Sequence, residues 1–132
     1  MLRKITCGIL LLLGLQFCTT DVTENHLYAS NIINPNASYE IYKTENFFHL
    51  LKLNTRNGCI TQIQIGVGDT LPSEDSINAT PLVPIEEQQN GRFALYPTGN
   101  IYNFVLLDQI SGKIWQVQWH TDPKSRTIQA IE

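Results

Sequence analysis

The stretch YEIYKTENFFHLLKLNTRNGCITQIQIGVG, residues 39–68, is followed 54 positions later by FALYPTGNIYNFVLLDQISGKIWQVQWHTD, residues 93–122. The two stretches align without a gap, and most apolar positions of one remain apolar in the other. Eight aligned pairs are identical: Tyr42/Tyr96, Thr44/Thr98, Asn46/Asn100, Leu53/Leu107, Gly58/Gly112, Ile60/Ile114, Gln62/Gln116 and Gln64/Gln118. Because a gapless match of this kind is unusual by chance, the chain is predicted to use one small β unit twice.

Each copy has the pattern of a meander of three strands. Short runs rich in apolar, aromatic and β-branched residues are separated by turn-forming residues, as in antiparallel sheets. The expected strands are 39–42, 47–53 and 60–65 in the first copy and 93–96, 101–107 and 114–119 in the second. Residues 71–75 are expected to form a loop, and residues 125–131 a last short strand.

The turn before the third strand of each copy is the best-defined local feature. Asn54 and Asp108 begin the two turns, and such side chains accept a hydrogen bond from the backbone N–H two residues on. Gly58 and Gly112 end them, where a left-handed residue closes a hairpin. Backbone geometry therefore explains why both copies carry these residues.

Side-chain alternation along the third strands predicts which residues face the core. Inward positions are expected at Thr61, Ile63, Ile65, Trp115, Val117 and Trp119, and outward positions at Gln62, Gln64, Gln116 and Gln118. Two sheets with apolar faces bury those faces against each other. The predicted fold is all-β, with two three-stranded antiparallel meander repeats packed as a pseudo-twofold sandwich or a half-open barrel.

The first 20 residues have the composition of an export signal. Arg3 and Lys4 precede an apolar run at residues 5–17, which is shorter than the roughly 20 apolar residues that span a membrane. The predicted organisation is a signal peptide at residues 1–20 and a single β domain at residues 21–132. The domain is expected to be exported to the periplasm, the outer membrane or the cell surface.

Two kinds of signal processing fit this segment. Leu15 and Cys18 match the pattern of a bacterial lipoprotein, in which the signal would end at residue 17 and Cys18 would carry lipid. Phe17 departs from that pattern, which has a small residue before the cysteine. Ordinary cleavage after Thr20 satisfies the small-residue requirement. Membrane anchoring through Cys18 and release as an unlipidated domain both remain open.

Composition narrows the classes of partner. Without Arg3 and Lys4, the chain has seven Lys and Arg against twelve Asp and Glu, a formal charge of −5. It lacks the basic stripe that neutralises phosphates, so nucleic acid is not an expected partner. Cys59 is the single cysteine beyond the signal, so no internal disulfide is expected and its thiol is predicted to be half-buried.

Three sets of residues are candidates for binding. Gln62, Gln64, Gln116 and Gln118 could form outward rows of amides that hydrogen-bond a partner, or a solvated sheet face. Trp119 could serve as an aromatic platform at the end of its strand, or pack in the core. The Thr-x-Asn elements at residues 44–46 and 98–100 could form binding loops, although such side chains commonly fix turns.

Sequence motifs give no support for catalysis. His26, His49 and His120 are far apart, and the sequence contains no H-x-x-x-H or C-x-x-C metal motif. Nucleophile-elbow, P-loop and dinucleotide-binding motifs are also missing from it. We therefore expect a protein that is not an enzyme and that uses no metal and no cofactor.

The segment LYPTGNIYNFVLLDQISGKIWQVQW, residues 95–119, resembles a β-meander repeat of small, uncharacterised bacterial exported proteins. Residues 39–65 extend the resemblance as a decayed first copy, in which Lys43 replaces the proline and Thr61 the first tryptophan. The resemblance implies a bacterial source and a β meander, and it implies no activity.

The leading functional prediction is a non-enzymatic protein-interaction module of the bacterial envelope, with inhibitor or immunity proteins as a specific form. Its partner would be another protein that binds an exposed sheet face or edge. The alternative is a binder of small ligands or glycans that uses Trp119 and nearby aromatic residues such as Tyr96 and Tyr102.

Overall fold

The computed structural model describes residues 34–132, so the predicted signal peptide and Cys18 lie outside the described residues. The described chain contains eight β-strands and two single-turn 3-10 helices, at Ile85–Glu87 and Pro123–Ser125. Among residues 34–132, no helix combines the length and the apolar character that crossing a membrane requires.

The strands form two four-stranded antiparallel sheets, and neighbours in the sequence are neighbours in each sheet. Sheet 1 consists of β1 (Tyr39–Lys43), β2 (His49–Asn54), β3 (Ile60–Gln64) and β4 (Ser73–Asn78). Sheet 2 consists of β5 (Phe93–Pro97), β6 (Asn103–Asp108), β7 (Ile114–Gln118) and β8 (Thr127–Ile131). The all-β prediction is confirmed, and the prediction of three strands in each sheet is wrong by one strand.

The extra strand of sheet 1, β4, includes residues that were expected to form a loop. Its sequence, SEDSIN, contains a single apolar residue. It pairs with β3 from Gln64↔Ser73 to Ile60↔Asn78 and lies at the sheet edge, where polar side chains reach solvent. Backbone hydrogen bonding at an exposed edge therefore outweighs the low strand propensity of these side chains. In sheet 2, β8 confirms the last short strand expected near the C-terminus.

Strand pairing follows the spacing of the sequence match. Each pairing in sheet 1 except Ile60↔Asn78, where the register of β3 and β4 shifts, has a counterpart in sheet 2 that is 54 residues later in the chain. Three examples are Tyr39↔Asn54 with Phe93↔Asp108, His49↔Gln64 with Asn103↔Gln118, and Gln64↔Ser73 with Gln118↔Thr127. The correspondence thus reaches the fourth strands, beyond the stretches that match in sequence.

The turns between the second and third strands of each sheet have the predicted geometry. Asn54 Oδ1 accepts a hydrogen bond from the Arg56 N–H at 3.0 Å. Asp108 Oδ1 accepts one from the Ile110 N–H, also at 3.0 Å. The glycines that end the turns, Gly58 and Gly112, have φ of 77° and 75°, in the left-handed region that favours glycine.

The core lies between the two sheets, and each sheet contributes one face to it. The inner face of sheet 1 carries His49, Leu51, Leu53, Ile60 and Gln62. The inner face of sheet 2 carries Phe93, Leu95, Phe104, Leu106, Val117 and Trp119. Leu82 and Val83, in the proline-rich segment between the sheets, are half-buried against this core.

Equivalent positions of the two sheets face opposite ways. Leu51 and Leu53 are buried in sheet 1, whereas their equivalents 54 residues later, Val105 and Leu107, are on the outer face of sheet 2. A twofold axis would bring equivalent residues to the same interface. Here equivalent residues do not meet at the interface between the sheets, so the burial pattern does not support the pseudo-twofold sandwich.

The opposite orientation also corrects the predicted core of the first copy. In β3 the inward residues are Ile60 and Gln62, whereas Ile63 is half-buried on the outer face and Ile65 is exposed. Thr61 donates a hydrogen bond to Glu74 at 2.7 Å on that same outer face. The physical reason is that sheet 1 has apolar residues on both faces, so alternation alone does not decide which face is covered.

A buried ion pair joins the segment before β5 to the end of β6. Arg92 donates from Nε to Asp108 Oδ1 at 3.0 Å and from Nη2 to Asp108 Oδ2 at 2.8 Å. Burial by itself raises the pKa of Asp108. Hydrogen bonds from Arg92, from the Ser111 hydroxyl and from two backbone N–H groups outweigh burial and hold the pKa well below its usual value. The carboxylate is therefore ionised at neutral pH.

We expect Asp108→Asn to lower the free energy of unfolding by about 3 kcal/mol, because it removes the buried carboxylate that binds Arg92 through two hydrogen bonds and leaves Glu87, which is about half exposed, as the counter-charge. The matched control is Asn54→Ala in sheet 1, which removes a turn hydrogen bond and should cost about 1 kcal/mol. Urea denaturation at neutral pH measures both values. Equal losses in the two variants would contradict a special role for the ion pair.

Candidate functional site

A cleft lies where two equivalent turns meet at one end of the sheets. It has a volume of about 400 Å³. Its walls are formed by residues 45–48 after β1 and by Ile101 and Tyr102 after β5, together with Trp119 and Thr121 after β7. Both turns contain a Thr-x-Asn element singled out in the sequence. Glu45 and Asn46 of the first element line the cleft, whereas the second element, residues 98–100, immediately precedes the lining residues Ile101 and Tyr102.

Each Thr-x-Asn element holds its own turn through hydrogen bonds. The Thr44 hydroxyl accepts from the Asn46 N–H at 3.1 Å and donates to the His49 carbonyl at 2.8 Å. Asn46 Oδ1 accepts from the Phe48 N–H at 2.9 Å. These contacts match the turn-fixing interpretation of the two side chains. The wall of the cleft next to sheet 1 is consequently pre-formed.

The turn after β5 repeats these contacts. The Thr98 hydroxyl accepts from the Asn100 N–H at 3.1 Å and donates to the Asn103 carbonyl at 2.9 Å. Asn100 Oδ1 accepts from the Tyr102 N–H at 2.9 Å. The opposite wall therefore has the same local support, and the apolar side chains at the tips of both turns are held in defined positions.

Trp119 forms the floor of the cleft and is 2% exposed, which fits the alternative that it packs in the core and not the alternative that it is an accessible platform. Its indole Nε1–H donates to the Ile101 carbonyl at 2.9 Å. Its ring stacks on His49 of sheet 1, with 5.6 Å between ring centroids. The strand end is covered because the turn after β5, through Ile101 and Tyr102, and the neighbouring sheet, through His49, both pack on it.

The rim of the cleft is apolar and accessible. Phe47 is 91% exposed, and Phe48 and Ile101 are each about half exposed. Tyr102 packs against Trp119 at 5.5 Å and against His120 at 5.0 Å between ring centroids. The sequence pattern predicts a strand at Phe47, because an apolar residue beside an apolar run is typical of a core strand, whereas the structure places it in a turn. The sequence signal that could have identified the site is the pair of turn elements.

The four glutamines do not form one surface. Gln62 is 2% exposed and lies between the sheets, which corrects its predicted outward position. Within residues 34–132, its Oε1 has no hydrogen-bond partner. Gln64 is half-buried. On the outer face of sheet 2, the exposed Gln116 donates from Nε2 to Asn103 Oδ1 at 3.3 Å, and Gln118 donates to the Ser125 carbonyl at 2.9 Å.

Charged groups near the cleft are few. Glu45 is the single carboxylate in its lining. In the part of the chain that the structure describes, no group of three or more His, Cys, Asp and Glu residues is placed to hold a metal ion. Cys59 is half-buried, as expected, and burial raises the pKa of its thiol.

His49 is a titratable group that stacks on the floor of the cleft. Burial, and then the positive charge of Arg126, hold the pKa of His49 below its usual value. Arg126 is itself fixed by its hydrogen bond to the His120 carbonyl at 2.9 Å and by Asp75 at 3.6 Å. The imidazole stacked on Trp119 is therefore neutral at neutral pH.

Comparisons with protein-family models, with curated proteins and with solved structures return no match to this chain.

We expect the melting temperature to fall as the pH is lowered from about 7.5 to about 5.5. An unfolded histidine titrates near pH 6.5. Because the folded pKa of His49 is lower, its contribution to stability is fully present above that pH and is lost as the pH falls toward the folded pKa. His49→Phe should flatten this pH dependence, whereas His120→Gln should retain it. Identical profiles for His49→Phe and the wild type, measured by circular dichroism, would refute this assignment.

Proposed function

We propose that this protein is a non-enzymatic protein-interaction module, exported to the bacterial envelope, that binds an apolar segment of another protein at its turn-lined cleft. The observation that carries the proposal is the apolar rim around a fixed floor. Phe47 projects from a turn that its own hydrogen bonds hold in place, beside the rigidly packed Trp119. An inhibitor or immunity protein that covers a secreted effector is a specific form of this function.

A protein partner accounts for the exposed phenylalanine better than a small ligand does. Because Phe47 is 91% exposed, most of its ring faces solvent at the rim of the cleft, where it can insert into a pocket of a facing surface. Burial of such a ring on binding contributes about 2 kcal/mol, and aromatic residues dominate the energetics of protein interfaces. The turn is already ordered, so binding pays little conformational entropy there.

Binding of a small ligand or glycan is the second candidate, and the shape of the cleft favours it. A volume of about 400 Å³ is within the range of small-molecule sites. Tyr102 offers an aromatic wall beside Trp119, although Trp119 itself is too buried to stack on a ligand over its full face. Tyr96, the other aromatic residue considered, does not line this cleft.

Export is supported by the N-terminal sequence. Arg3 and Lys4 precede the apolar run at residues 5–17, and Cys18 provides an attachment point for lipid. The two sheets are proposed to be copies of one four-stranded unit, because their strand pairings correspond at the same spacing as the eight identical pairs. The acidic charge of the mature chain supports a protein partner over nucleic acid.

We expect Phe47→Ser to abolish capture of a stoichiometric protein partner when the mature protein is crosslinked in its native envelope and recovered for mass spectrometry. Loss of about 2 kcal/mol corresponds to roughly thirtyfold weaker binding. Leu71→Ser is the matched control, because Leu71 is 82% exposed and does not line the cleft. It should retain the partner.

Two outcomes would contradict a protein interface at the cleft. One is a partner captured equally by wild type and Phe47→Ser. The other is a co-purifying small molecule that is lost in Tyr102→Ala and kept in Phe47→Ser, which would favour the ligand-binding candidate. Circular dichroism of each variant shows that the fold is intact.

The mass of the protein recovered from the envelope tests the proposed anchoring. Lipoprotein processing leaves Cys18 as the first residue, with a mass increase from diacylglycerol, and Cys18→Ser then releases the domain from the membrane fraction. Ordinary processing leaves Asp21 as the first residue and no added mass. An N-terminus at Met1 would contradict export by either route.

A further inference from the structure

The contact between the sheets joins the inner face of sheet 1 to the inner face of sheet 2. In the repeat unit these are two different faces: the face that is buried in sheet 1, here called the front, points outward in sheet 2, and the face that is buried in sheet 2, here called the back, points outward in sheet 1. His49 of sheet 1 stacks on Trp119 of sheet 2, and the Tyr42 hydroxyl accepts a hydrogen bond from the Leu95 N–H at 3.3 Å. Such a contact is heterologous: the front of one unit lies on the back of the next. Heterologous contacts leave a matching front and back unused at the two ends.

The unused front is the outer face of sheet 2. It carries the equivalents of residues on the inner face of sheet 1, which are buried or half-buried there: Tyr96, Leu107, Ile114, Gln116 and Gln118 match Tyr42, Leu53, Ile60, Gln62 and Gln64. Five of the eight identical pairs thus belong to this face. Packing inside the domain explains these residues in sheet 1. In sheet 2 the same side chains face outward, so burial within the domain does not explain them.

The unused back is the outer face of sheet 1. Ile41, Leu50 and Ile63 occupy the positions that Leu95, Phe104 and Val117 fill on the inner face of sheet 2. Ile41 is 54% exposed, which is high for an isoleucine at a core-equivalent position. At the centre of the face, Lys52 forms an ion pair with Glu74, so the positive and negative charges there neutralise each other.

We propose that the outer face of sheet 2 of one copy packs on the outer face of sheet 1 of a second copy, continuing the arrangement that already exists between the two sheets. The proposal does not depend on the cleft. Repeated contacts of this kind close into a ring when the rotation between successive sheets completes a circle, and otherwise extend into a stack. Rings of four-stranded sheets hold about four to eight sheets, which corresponds to about two to four copies of this chain.

The polar centre of the outer face of sheet 1 makes this contact weaker than the internal one. Lys52 and Thr61 replace Leu106 and Trp115 of the internal contact. Burying polar groups lowers the gain from apolar contact, so the assembly should be reversible and dependent on concentration.

The test is sedimentation equilibrium of the mature chain at concentrations up to about 100 µM, where contacts of modest affinity are populated. We expect masses above that of the monomer. Gln116→Glu disables the outer face of sheet 2, and Ile41→Glu disables the outer face of sheet 1. Each should weaken association about a hundredfold by placing an unpaired carboxylate in the contact. Leu71→Glu, in an exposed loop away from both faces, should associate as the wild type does.

Mixing the two disabled variants distinguishes this contact from other modes of association. Ile41→Glu retains an intact outer face on sheet 2, and Gln116→Glu retains one on sheet 1, so the mixture should form one-to-one dimers and nothing larger. A contact between identical faces cannot be restored by mixing. The proposal is overturned if the wild type is a monomer at about 100 µM, if the single variants associate normally, or if the mixture stays monomeric. Circular dichroism confirms that each variant is folded.

Discussion

The packing of the inner face of sheet 1 on the inner face of sheet 2 is the contact on which the rest of the structure depends. An isolated four-stranded meander has two faces and can cover neither by itself. Here Leu51, Leu53 and Ile60 of sheet 1 meet Leu95, Phe104 and Leu106 of sheet 2 in one apolar cluster. Because the two sheets pack face to face, the turn after β1 and the turn after β5 lie side by side at the same end of the domain. The cleft is a direct consequence of that alignment.

Polar groups inside this contact fix the position of one sheet relative to the other. Tyr42 donates its hydroxyl proton to Glu40 and accepts from the Leu95 N–H, so one side chain joins the two sheets. Burial, and then the bond to Glu40, raise the pKa of Tyr42, which keeps the phenol protonated. A shift of the sheets relative to each other would break this bond inside a desolvated region, which costs more than an apolar mismatch does. Such groups favour one arrangement of the sheets over its alternatives.

The domain presents two kinds of surface with different physical character. The cleft has rigid walls, an aromatic floor and the exposed ring of Phe47, which suits recognition of a separate molecule. The outer sheet faces have the alternation of an internal contact, which suits another sheet of the same kind. The two surfaces lie at different parts of the domain, at the sheet ends and on the sheet faces. The proposed partner and the proposed second copy would therefore occupy different surfaces of the domain.

The sequence by itself determined the strands and their turns, because these follow from local rules. Alternating residues, Asn or Asp at the start of a turn and glycine at its end act over a few residues, and Gly58 and Gly112 have the conformation those rules require. These local rules did not predict the edge strand β4, because its stability comes from pairing with β3 and not from its own side chains. Alternation predicted the inner face of sheet 2, with Val117 and Trp119, whereas the tertiary structure alone decided which face of sheet 1 is buried, and with it the position of Gln62. A strand with apolar residues on both faces can cover either one, and the choice depends on the neighbouring sheet.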